Sequence, residues 1–182
     1  LVKSPLDLVL QSLTITNFPV PDPIDKGINH YKHFYYTSIL KNVLIPSGHD
    51  IFRPASVAGF PPYYEAPDYD KFWFNSATII SRYKLPTVLL DNKTKSNFKI
   101  STFIDAVVSS PTDPEVLVRE ITDIMFPETI SAARLDFFVN DVLLDNGTLD
   151  ASMWADEWIN YKNTTKTNGV EAALEPLFNA LL

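Results

Sequence analysis

The sequence predicts an all-α fold, an irregular multi-helix bundle interrupted by a long proline- and aromatic-rich loop. Apolar residues recur at the spacing of an α-helix through most of the chain, and capping residues precede several of these stretches. Strand patterns are weak, since the short apolar run 87–90 has no obvious partner. With 182 residues and 46% hydrophobic composition, we expect a single helical domain over 1–182. Within it, 1–90 forms a signature region and 100–182 a helical tail.

Three helices are predicted in the first half of the chain. Ser4 is placed to cap the first, with Pro5 at the first helical position and an apolar stripe through Leu13. The second is expected over 29–45, and its buried face should hold Tyr36, Ile39, Leu40 and Val43. The third is expected from a cap at Asp70 to about Tyr83, burying Trp73, Ala77 and Ile80.

In the second half of the chain, four helical segments are predicted, and the residues that mark their ends are more distinct. A capping box at 112–115 opens the first, and Asn146-Gly147 closes the second. The segments are expected from 112 to about 125, over 128–145, over 151–161 and from 168 to the last residues. In the last of them Asn168 is the cap with Glu171 three residues on, and Pro176 should kink or split the helix.

Composition excludes several classes of function. The formal net charge is −7 and basic residues are not clustered, so neither nucleic acid nor an anionic membrane surface is an expected partner. Cysteine does not occur, which removes thiolate catalysis and Cys-ligated zinc. The sequence has neither an apolar run long enough to span a bilayer nor a recognisable signal peptide. Because the chain opens at Leu1, we expect it to be a piece of a longer product.

The stretch from Gly48 to Leu85 is the most distinctive part of the chain. Together with Lys3-Ser4-Pro5-Leu6-Asp7, its ordered motifs resemble the C-terminal part of the DUF1800 family. The matching motifs are Gly48-His49-Asp50-Ile51-Phe52, Pro54-Ala55-Ser56-Val57-Ala58-Gly59-Phe60-Pro61, Tyr63-Tyr64-Glu65-Ala66-Pro67, Phe74-Asn75-Ser76-Ala77-Thr78 and Arg82. The resemblance implies a mainly helical, exported bacterial protein of the Bacteroidetes type, periplasmic or extracellular and without an assigned activity. It also implies a longer N-terminal helical portion, which is a candidate partner.

The signature loop holds the candidate binding residues. They are Tyr63, Tyr64, Glu65, Asp68, Tyr69 and Trp73. Two carboxylates at a fixed separation can hydrolyse glycosides, and the aromatic rings would then stack on sugars. A simpler interpretation is that Asp68 or Asp70 caps the next helix while the aromatic rings pack the loop onto the bundle.

Asn75 and Arg82 are predicted to anchor this loop. They lie seven residues apart on the predicted third helix and would share one face. A buried arginine in this position is expected to bind loop carbonyls or an acid such as Glu65.

Histidines offer two further possibilities, neither of which leads us to assign a catalytic residue, a metal or a cofactor. His30 and His33 could present two imidazoles to one metal, although an aromatic surface patch explains them equally well. His49 beside Asp50 could act as a base near Ser56, but the sequence contains no established nucleophile motif.

The sequence therefore favours a non-catalytic helical binding or scaffold domain, with the segment from Phe52 to Tyr69 recognising a protein or carbohydrate partner. The rival interpretation is an extracytoplasmic hydrolase of polysaccharide or peptide that uses Glu65, Asp68 and His49. A third is a structural half-domain that covers an active site in the N-terminal part.

Overall fold

The computed structural model describes residues 3–24, 27–60, 73–91, 98–164 and 168–182. Within these ranges the fold is all-α, as predicted, and the only strand-like pairing is an isolated bridge between Ser56 and Gly59. The chain divides into two compact units, Leu1–Phe98 and Lys99–Leu182. No helix in the described ranges is both long enough and apolar enough to cross a bilayer.

The first unit is built from short helices around one wide helical segment. Its elements are α1 (Pro5–Ile15), α2 (Ile28–Lys32), which runs directly into the π-helix π1 (His33–Leu44), α3 (Ile79–Arg82) and α4 (Leu85–Leu89). The start of α1 is as predicted, because the Ser4 hydroxyl accepts the N–H of Asp7 at 3.1 Å and donates to its carboxylate at 2.6 Å. The core consists mainly of Phe34, Val43, Leu44, Trp73, Leu85 and Leu89.

The prediction of a long third helix is wrong for the residues that the structure describes. Residues 73–78 form turns, and helix α3 begins only at Ile79. The turns are stabilised by the Asn75 side chain, which accepts the N–H groups of Ala77 and Thr78 at 2.9 and 3.1 Å. Asparagine commonly stabilises turns in this way, at the expense of the helix. Asn75 and Arg82 therefore do not lie on one helix, and Ile80 is 63% exposed.

The second unit is a bundle of longer helices. Its elements are α5 (Ile100–Val107), α6 (Pro114–Met125), α7 (Ala132–Asp136), π2 (Phe137–Leu143), α8 (Ala151–Thr164) and α9 (Asn168–Leu181). The core is centred on Leu117, Leu143, Trp154, Trp158 and Leu174. The indole N–H of Trp154 donates to the Pro111 carbonyl at 2.9 Å, which satisfies its buried polar atom.

Several details of the second unit differ from the sequence-based expectations. Helix α5 was not predicted, and α7 begins at Ala132, capped by Ser131, rather than at Glu128. Asp113, rather than Thr112, caps α6 by accepting the N–H groups of Glu115 and Val116. Helix α9 is continuous through Pro176, so it is not split there, and a kink at this residue stays a prediction.

Candidate functional site

An apolar groove between α1 and π1 is a candidate binding site in the described part of the first unit. Its volume is about 360 Å³, within the usual size range of ligand pockets. The lining residues are Leu6, Val9, Leu10, Leu13, Tyr31, Phe34, Tyr35, Tyr36, Ile39, Leu40, Leu44, Ile51 and Phe52. None of them is charged. The groove can therefore exclude water from an apolar occupant without desolvating an ion of its own.

The rim of the groove presents large apolar side chains to solvent. Leu10 of α1 is 53% exposed, and Phe52, in the turn that follows π1, is 74% exposed. The apolar stripe of α1 was predicted from the sequence, but it is only partly covered. Sequence periodicity shows which face of a helix is apolar, and it does not show whether that face has a partner.

Tyrosines line one side of the groove and keep it neutral. The rings of Tyr31 and Tyr35 lie 4.6 Å apart, and Tyr35 packs edge-on against Phe34 with ring centroids 5.1 Å apart. Burial is the main cause that raises the pKa of Tyr35, with smaller contributions from Tyr31 and Asp22. The Tyr35 hydroxyl is therefore protonated at neutral pH and is the kind of polar handle that apolar interfaces use.

His49 lies inside an aromatic stack near the end of π1. Its ring stacks on Phe60 with centroids 4.4 Å apart and on Trp73 with centroids 5.0 Å apart, and the side chain is 9% exposed. Desolvation lowers the pKa of His49, and the charge of Asp7 opposes this shift. The ring is consequently held neutral and lies buried against two aromatic side chains, which suits packing better than proton transfer to an external substrate.

The residues that could have worked with His49 are engaged in local turns. The Asp50 carboxylate accepts the N–H of Phe52 at 3.1 Å. The Ser56 hydroxyl donates to the Gly59 carbonyl at 3.1 Å. These contacts favour a structural role for the sequence from Gly48 to Gly59.

Arg82, at the end of α3, is a buried cation. It is 8% exposed, and its Nη1 atom has no hydrogen-bond partner among the described residues. Its guanidinium carbon lies 6.0 Å from the centroid of the Phe74 ring. Such a contact contributes about 0.5–2 kcal/mol, whereas burying an ion costs several kcal/mol. Desolvation accordingly lowers the pKa of Arg82, with the nearby Tyr83 acting in the opposite direction.

The other predicted binding residues fall into two groups. Tyr63, Tyr64, Glu65, Asp68 and Tyr69 lie outside the described residues, as does Asp70. Trp73 lies within them and is 2% exposed, so it belongs to the core and offers no open stacking face. Asn75 stabilises the turn before α3, and whether it or Arg82 holds the loop stays a prediction.

The histidine pair near the start of π1 does not assemble a metal centre with described neighbours. His33 Nε2 lies 4.0 Å from a carboxylate oxygen of Asp91. Across the described ranges, no group of three histidine or acidic side chains is placed to hold a metal ion.

Comparisons with protein-family models, curated proteins and solved structures gave no match to this chain. The resemblance to the DUF1800 family accordingly stays a prediction from the motifs of the first half of the chain.

Proposed function

We propose that this chain is a non-catalytic binding domain of an exported bacterial protein and that its groove, together with the segment from Phe52 to Tyr69, recognises a partner. The observation that supports this proposal is the groove between α1 and π1, which is lined by thirteen uncharged, mostly apolar side chains. An exposed apolar surface of this kind usually marks an interaction site.

The chemistry of the lining favours a protein partner over a carbohydrate. Sugars are bound through many hydrogen bonds to their hydroxyl groups, whereas the described residues of the groove offer only the hydroxyls of Tyr31, Tyr35 and Tyr36 as polar side-chain groups. Two helical segments, α1 and π1, form its walls. An amphipathic helix laid into such a groove would bury its apolar face. Under the DUF1800 resemblance, the N-terminal helical portion of the longer protein would be the first partner to test.

The rival interpretation as a hydrolase has no support from the described geometry. Glu65 and Asp68 lie outside the described residues, and His49 is buried against two aromatic rings. We therefore give binding precedence over catalysis.

The test compares two double variants of the first unit as baits in bacterial extracts. Leu10→Ala with Phe52→Ala removes two exposed side chains that line the groove. Ile24→Ala with Ile80→Ala removes two side chains that are 90% and 63% exposed and lie outside both the groove and the segment from Phe52 to Tyr69. We expect the groove variant to lose a partner, identified by mass spectrometry, at least about tenfold relative to the control, because truncating two apolar side chains that a partner covers costs about 1.4 kcal/mol or more in total.

Binding of the identified partner is then measured with purified proteins. Equal affinities for the groove variant and the control would overturn the assignment of the groove. Unchanged binding after replacing Tyr63 and Tyr64 by alanine would remove the signature loop from the proposal while leaving the groove in place.

A further inference from the structure

Three unpartnered polar atoms lie on buried side chains around the junction of π1 and α3. They are Ser47 Oγ, His49 Nδ1 and Arg82 Nη1, and all three side chains are at least nine-tenths buried. Native structures leave few buried polar atoms without a hydrogen bond, and each exception calls for an explanation, such as a role in binding an ion. We refer to Ser47, His49 and Arg82 as the Arg82 junction.

Local packing brings these residues into one region of the first unit. Ser47 and His49 flank Gly48, and a side chain placed on Gly48 would meet the Thr78 methyl group at 3.8 Å. The Thr78 hydroxyl donates to the Trp73 carbonyl at 3.1 Å, and Trp73 stacks on His49. Arg82 follows Thr78 by one helical turn, and its N–H donates to the Thr78 carbonyl at 3.2 Å.

The charge of Arg82 has no counter-charge in the described part of the chain. The ion pairs found there involve His33, Arg119 and Lys162, and none includes Arg82. The nearby Phe74 ring offers only its weak quadrupole. The groups of the junction are a guanidinium, a hydroxyl and an imidazole. All three can donate hydrogen bonds to an acceptor of negative charge.

We propose that the Arg82 junction binds a small oxyanion, a carboxylate or a phosphate, on the guanidinium of Arg82. A planar oxyanion presents two oxygens to the guanidinium fork, and the pair would supply the missing counter-charge. Ser47 and His49 lie in neighbouring parts of the first unit and would be the next donors to test. The site is separate from the apolar groove, so this proposal does not depend on the proposed partner binding.

The experiment follows thermal unfolding of the full chain while sodium phosphate or sodium malonate replaces sodium chloride at constant ionic strength. Specific binding to the folded state gives a saturable rise in the unfolding midpoint, of about 10 °C at a hundredfold excess over the dissociation constant. Comparison of the two probes distinguishes a phosphate site from a carboxylate site. Exclusion of these salts from the protein surface gives only a gradual rise that does not saturate.

Two variants assign the response to Arg82. Arg82→Met should abolish the saturable rise, and Arg134→Met, which removes an exposed arginine, should retain it. The groove variant Leu10→Ala with Phe52→Ala should also retain it. If Arg82→Met does not fold, Arg82→Lys provides the comparison, since a point charge without the fork should bind the probe about tenfold more weakly.

Either of two results would overturn the proposal. One is a wild-type midpoint that rises equally in all salts, or not at all. The other is a loss of stability in Glu65→Gln equal to that in Arg82→Met, which would show that the counter-charge comes from the chain itself.

Discussion

Glu171 illustrates how one side chain can serve a helix other than its own. Its carboxylate accepts the backbone N–H groups of Ile100 and Ser101 at 3.1 and 2.9 Å, and it also accepts the Ser101 hydroxyl. The sequence predicted that Glu171 helps to cap α9, on which it lies. Instead it caps the start of α5, seventy residues away. The negative charge also complements the positive end of the α5 dipole.

Replacing Glu171 by alanine should lower the free energy of unfolding by about 1–3 kcal/mol. The substitution leaves two N–H groups at the start of α5 without their acceptor in a half-buried position. Glu175→Ala is the matched control, because Glu175 is exposed on the same helix and should change stability by less than about 0.5 kcal/mol. Urea denaturation measures both variants. Equal effects would contradict the long-range cap.

His49 should make the stability of the first unit depend on pH. Its pKa is lowered in the folded state by desolvation, so the unfolded chain takes up this proton at a higher pH than the folded chain does. Stability is therefore fully present above the unfolded pKa of about 6.5 and is lost as the pH falls below it. We expect urea midpoints to decrease between pH 7.5 and 5. In His49→Phe, which keeps an aromatic ring in the stack, this decrease should be smaller, and an identical decrease would show that His49 is not its source.

At the scale of a single element, the wider helical period of π1 explains why the sequence prediction placed Tyr36 on the buried face. The buried positions of π1 are Phe34, then Ser38 to Leu40, then Val43 and Leu44. This pattern repeats every four to five residues, as expected of a helix with hydrogen bonds from residue i to i+5, rather than every 3.6. Tyr36, which the narrower period placed in the core, is 56% exposed.

Alanine substitutions in π1 should distinguish the two periods. Phe34 is fully buried, so Phe34→Ala should cost about 3–5 kcal/mol through lost packing and a new cavity. Tyr36 contacts Lys41, whose ammonium lies 5.3 Å from the ring centroid, and Tyr36→Ala should cost about 1 kcal/mol or less. Chemical denaturation gives both values. Comparable losses would indicate an ordinary α-helix in this stretch.

Helix ends were predictable where the signal was local. Ser4, before Pro5, places a side-chain acceptor next to the N–H group that it satisfies, whereas the cap of α6 lies one residue later than the predicted one. The helix expected across residues 73–78 failed because Asn75 and Thr78 form a competing set of turn hydrogen bonds. Helix propensity and apolar periodicity do not take account of such competing side-chain hydrogen bonds. The capping of α5 by Glu171 could not be predicted for another reason, because the residues that it caps are distant in sequence.

For the whole molecule, the fold class could be predicted from the sequence, whereas the candidate sites could be recognised only in the three-dimensional structure. The apolar stripe of α1 was visible in the sequence, but its partial exposure depends on how π1 packs beside it. Similarly, the burial of Arg82 and the stacking of His49 arise from tertiary packing that no local pattern encodes. The sequence prediction of a binding role rests on motifs, and the groove now gives that role a defined surface to test.

The placement of the tryptophans has a practical consequence for spectroscopy. Of the three tryptophans in the chain, Trp73 lies in the unit Leu1–Phe98, and Trp154 and Trp158 lie in Lys99–Leu182. All three are buried in their own cores, so their emission changes when that core opens to water. Replacing Trp73 by phenylalanine confines the fluorescence signal to the second unit, and replacing the other two confines it to the first. The chain thus carries built-in optical reporters with which the melting of each half can be recorded separately in the same intact protein.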